Sequence, residues 1–73
     1  MKRFYFLIAN DSQYKSREDM IADFKSLFSA KDFDGAAWLI KARSIESAEV
    51  KGKALAFDHE WCNQGVYIAV VEL

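Results

Sequence analysis

The sequence contains no proline, one cysteine and one histidine. A lone Cys62 cannot close an internal disulfide, and Cys62 with His59 cannot complete a four-ligand zinc site. The glycines stand apart, at Gly35, Gly52 and Gly65, so no glycine-rich phosphate loop can form. No apolar run approaches the ~20 residues that a membrane-spanning helix needs. The run from Phe4 to Ala9 follows Lys2 and Arg3 as the core of a leader peptide would, but Asn10 and Asp11 end it too soon. Excess charge is also missing. A net charge of −1, with acids and bases interspersed, sets up no field that would draw the chain to nucleic acid or to a membrane. One free thiol without an export signal points to the cytoplasm.

What is present is apolar. Of 73 residues, 52% are hydrophobic and 15% aromatic. A chain this short makes one domain, residues 1–73, and buries only roughly 60% of its unfolded surface. With no covalent staple, stability must come from a dense core or from apolar surface shared with another chain.

The local patterns give five elements. Residues 3–9 read as a strand, apolar without alternation, which asks for cover on both faces and favours a central position. Ser16 followed by Asp19 predicts a helix start, with Glu18 and Asp19 favourable to the helix dipole. Met20, Ile21, Phe24, Leu27 and Phe28 supply its apolar stripe, so the helix is expected over 17–29. A polar connection around Phe33 leads to a second strand over 36–43. A third strand over 66–72 is launched by the turn Asn63-Gln64-Gly65. Between them, residues 45–61 read as a helix capped by Ser44 or Ser47, with Val50, Ala54, Phe57 and Trp61 on one face. The alternation of Leu55 to Trp61 leaves a strand as the competing reading, and Gly52 would cost a helix interior ~1 kcal/mol relative to alanine.

The resulting β-α-β-α-β order places the chain in the α/β class, with α+β as the alternative: a three-stranded sheet, first strand central, and two packed helices. Neither set of strand residues is polar. Either the helices cover opposite faces, or one open face packs on a second copy, and the expectation favours a homodimer through an open sheet face. The last thirty residues are loosely similar to the closing strand-helix-strand of ferredoxin-like dimeric barrels. That resemblance is architectural and implies no function.

Few residues could carry chemistry. Asp58-His59-Glu60-Trp61-Cys62 is the one reactive cluster, yet neighbours on a helix point ~100° apart and cannot converge on one atom. Cys62 near a helix C-terminus lacks the positive environment that activates a thiol. Asp32 and Asp34 lack the further oxygens of a calcium loop. Lys41, Arg43, Lys51 and Lys53, with Trp38 and Tyr67 as stacking groups, are the candidate nucleic-acid surface, disfavoured by the acids around them. The candidate partner-binding residues are Trp38, Trp61 and Tyr67.

No catalytic, metal-binding or cofactor-binding residue is assigned. The expectation is a small non-catalytic protein acting by protein–protein contact, a regulatory, inhibitory or accessory factor of the kind phages and mobile elements encode. The alternatives are a small enzyme or ligand-binding subunit, with His59 and Asp58 or Glu60 at a homodimer interface, and a nucleic-acid-binding module.

Overall fold

A computed structural model describes residues 1–62 and 64–73. The first residue of the expected Asn63-Gln64-Gly65 turn therefore lies outside the described residues. The chain runs β1 (Lys2–Asn10), α1 (Arg17–Ser26), a 3-10 turn (Ala30–Asp32), β2 (Ala36–Ala42), α2 (Ile45–Asp58) and β3 (Val66–Glu72). The sheet order is β2-β1-β3, with β1 antiparallel to both neighbours. This is a small α+β fold with the first strand central, as its unbroken apolar run implies.

Both helices begin where their serines announce them. Ser16 Oγ accepts the Asp19 N–H at 3.1 Å, and Ser44 Oγ accepts the Ser47 N–H at 3.2 Å, each satisfying a donor that the first turn leaves free. Residues 45–61 are helical as far as Asp58, which resolves the helix-or-strand alternative. Helix α2 then closes with two reverse bonds, Glu60 N–H to the Phe57 carbonyl and Trp61 N–H to the Ala56 carbonyl. Glu60 takes φ 67° to make them, a left-handed position usually given to glycine. Leu55 and Trp61 both pack against the core on this side.

Helix α1 stops at Ser26, short of the expected 29. Ser26 Oγ bonds back to the Asp23 carbonyl at 2.7 Å, and Leu27 leaves with extended backbone. Phe28 thereby loses its place in the apolar stripe and stands fully exposed.

The two helices cover opposite faces of the sheet. Alternation along each strand sends Phe4, Phe6, Ile8 and Ile40 to the α2 side, where Ala48 and Ala56 close over them. Leu7, Ala9 and Ala69 face the other way and meet Met20 and Phe33, with Tyr5 and Phe24 in edge-to-face contact at 5.0 Å. The fully open sheet face on which the expected homodimer rested is therefore not formed.

A second correction concerns the side that α2 turns inward. The face Val50, Ala54, Phe57 and Trp61 was expected to turn inward; Trp61, beyond the helix end, does pack on the core, but the buried row of α2 is Ala48, Gly52, Ala56. Phe6 decides this. A Cβ on Gly52 would collide with the Phe6 ring carbons, so the helix lies against that ring only because residue 52 has no side chain. Close approach to a wholly buried phenylalanine outweighs the helix-propensity cost of glycine.

Candidate functional site

Rotation of α2 puts its small residues inside and its large ones outside. Val50 is 69% exposed and Phe57 73%. They lie seven residues apart, two helical turns, so they share one side of the helix with exposed Ala54 between them. The Glu49–Lys53 ion pair, 3.3 Å, neutralises the charge beside this row. The result is an apolar strip on the outer face of α2, ready to meet another apolar surface and offering no group that could polarise or transfer anything.

On the other face of the sheet, the early end of α1 leaves a groove of about 360 Å3. Tyr5, Phe24, Leu27 and Val71 line it, with exposed Phe28, Lys25 and Glu72 around them. Its size is at the low end of the ~300–1,000 Å3 of small-molecule sites. Lys25 and Glu72 are the charged side chains in its wall, and Glu72 is already within 3.9 Å of Lys2 Nζ.

The candidate partner residues do not form one surface. Trp38 and Trp61 are half-buried against the α2-side core, and Tyr67 is half-buried on the α1 side. The Trp38 ring lies 6.2 Å from Phe6 and 5.4 Å from His59, and the Tyr67 hydroxyl donates to the Lys15 carbonyl at 3.2 Å. The sheet separates the tryptophans from the tyrosine.

The candidate nucleic-acid residues are only partly brought together. Lys51 Nζ donates to the Lys41 carbonyl at 2.9 Å, and Lys53 is paired with Glu49. Lys41 belongs to the α1 side of β2, where strand alternation also directs Arg43, while Lys51 and Lys53 are carried by α2 on the opposite side.

In the reactive cluster, His59 caps α2, with Nδ1 2.9 Å from the Leu55 carbonyl and its ring against Trp38. Asp58, Glu60 and Cys62 are exposed, and among the described residues no three acids, histidines or cysteines come together around a metal-sized space. A polar pair with a perturbed environment lies elsewhere. Tyr14 donates to Asp23 Oδ2 at 2.6 Å and stacks on Phe33 at 6.1 Å. Burial, then the hydrogen bond to Asp23 and the negative charges of Asp23 and Asp34, push its phenol well above the usual 10.0. The pair ties the loop before α1 to the helix itself, so its evident work is to hold that segment down.

Sequence reasoning missed the outward Val50–Phe57 row. The available signal was the competing row of small residues, Ala48, Gly52 and Ala56, at the same helical spacing. No family model, no curated protein and no solved structure matches this chain.

Proposed function

We propose that this protein works by protein–protein contact, as a small regulatory, inhibitory or accessory factor without chemistry of its own. The observation that carries the reading is the exposed Val50–Ala54–Phe57 row on α2. A phenylalanine and a valine held in register on a rigid helix, beside a neutralised ion pair, form the kind of anchor that an apolar groove on a partner accepts. The cytoplasm, suggested by the single free cysteine, is the proposed place of work.

The test is a doubly substituted chain, Val50→Ser with Phe57→Ser. Both side chains are mostly in solvent, so unfolding free energy should change by no more than ~0.5 kcal/mol per site. Proteins captured from the native cytosol by the parent chain should be lost with the double variant. An unchanged set of captured proteins would remove the basis of this reading.

A further inference from the structure

The two edges of the sheet are treated differently. Leu73 donates its N–H to the Arg3 carbonyl and Asp11 donates to the Gly65 carbonyl, which sets the phase of the β1–β3 ladder. Alternation then turns the backbone groups of Tyr67, Ala69 and Val71 toward β1, and those of Val66, Ile68, Val70 and Glu72 outward. Among the described residues, no backbone or side-chain group bonds to these outward positions. On β2 the outward groups of Ala37 and Leu39 are likewise without partners among the described residues, but the ammonium of Lys51 occupies the outward carbonyl of Lys41, and the Lys41 side chain adds a charge to that edge. Lysines on an edge strand oppose pairing with another chain. Strand β3 carries no lysine, proline or bulge, and its register with β1 is unbroken from Val66 to Glu72.

We infer that β3 is a self-pairing edge: two copies of the chain join β3 to β3 in antiparallel fashion, about a two-fold axis at Ala69, into one continuous sheet. The inference does not depend on the α2 row. A second copy is favoured because the edge is complementary to itself in this register. Val66 bonds opposite Glu72 of the second copy, and Ile68 opposite Val70, so every outward group from Val66 to Glu72 finds a partner. Ala69 meets its own equivalent where the two backbones run closest, and a methyl group fits there. On either side Tyr67 faces Val71, an aromatic against a β-branched residue, while Ile68 faces Val70 on the opposite surface. The charges agree as well. The two Glu72 carboxylates fall at opposite ends of the paired strands, each beside its own Lys2 at 3.9 Å, so no like charges meet at the axis.

Sedimentation and amide exchange test this on the whole chain. At tens of micromolar, the mass should be twice that of the chain and fall to the monomer on dilution. In the dimer, the amides of Ile68 and Val70 should exchange at least about tenfold more slowly than in the monomer, since they are open only when the edge is free. Val71→Lys, which places a charge opposite Tyr67 of the second copy, should yield a monomer. As Val71→Lys also touches the groove beside α1, Val70→Pro is the second variant, because it deletes an outward N–H and leaves the ladder to β1 intact. A monomer at every concentration overturns the inference. So does a dimer whose Ile68 and Val70 amides exchange as in the monomer, or an edge found paired with a strand of a different protein. Loss of the dimer in the Val50→Ser/Phe57→Ser chain would move the interface to α2 and would likewise overturn it. If the inference fails by a persistent monomer, the contact reading through α2 stands or falls separately, on its own capture experiment.

Discussion

On one face of the sheet, Phe4, Phe6 and Ile8 meet a 14-residue helix that touches all three strands. On the other, Tyr5, Leu7 and Ala9 meet a 10-residue helix that leans mainly on β3. Both sets of strand residues are largely apolar, Tyr5 and Ala9 being the more polar and the smaller members, and the helices widen the difference. Helix α2 presents Ala48, Gly52 and Ala56 and can lie directly on the phenylalanine rings. Helix α1 reaches the sheet through long side chains, Met20 and Phe24, and ends early. The first arrangement gives a closed face; the second leaves Leu39 52% exposed and a groove beside Phe28. Small residues on a helix therefore do as much to seal a small core as large ones, because they set how near the backbone can come.

The sharpest way to break this contrast is to empty the α2 face. Phe6→Ala should cost about 3–5 kcal/mol, enough to unfold much of the population of so small a domain, as read by chemical denaturation. A loss below that of Met20→Ala would mean that the α1 face is the better packed one.

Gly52→Ala comes next. The new methyl must push into the Phe6 ring, and the gain in helix propensity of ~1 kcal/mol only partly offsets the overpacking, for a net loss of about 2 kcal/mol. In a Phe6→Leu background the same change should cost less, and equal costs in the two backgrounds would refute the contact as the cause.

On the α1 side, Tyr14→Phe removes the bond to Asp23 and should cost about 1 kcal/mol near neutrality. Because the Tyr14 pKa is raised on folding, the protonated phenol stabilises the native state fully below the usual 10.0, and that contribution is lost as pH rises through the folded value. Denaturation curves of the two proteins should thus converge above about pH 10. A difference that stays constant with pH would show that folding does not raise the Tyr14 pKa.

The smallest effect expected is a gain. Glu60→Gly relieves the left-handed backbone at the end of α2 and should raise stability by about 0.5–1 kcal/mol, seen as a higher Tm. A lower Tm would mean that the glutamate side chain does more at the helix exit than its exposure suggests.

Much of the fold was legible from local signals. The serines that cap α1 and α2, the three apolar strands and the central place of β1 are all written in short stretches of sequence, and each is realised. The candidate site was far less legible. Trp38, Trp61 and Tyr67 suggest a contact surface because large aromatics often form one, but the first two pack on one face of the sheet and the third on the other. The α2 row was misassigned because Val50, Ala54 and Phe57 have the same spacing as a buried stripe.

The sequence alone determined the three strands, the first helix and their order, since capping, apolar runs and helical spacing act between residues close in the chain, while the structure decided that Ile45–Asp58 is a helix. The sequence also determined that β1 would be covered on both sides, because six adjoining apolar residues leave no polar face. Only the tertiary structure decided which side of α2 turns inward, that the helices part to opposite faces, and that the Lys51 ammonium caps a carbonyl on the β2 edge. The first depends on how near a backbone can approach Phe6, 46 positions from Gly52, and the last on where the Lys51 ammonium reaches, and neither distance is set by neighbours in the chain.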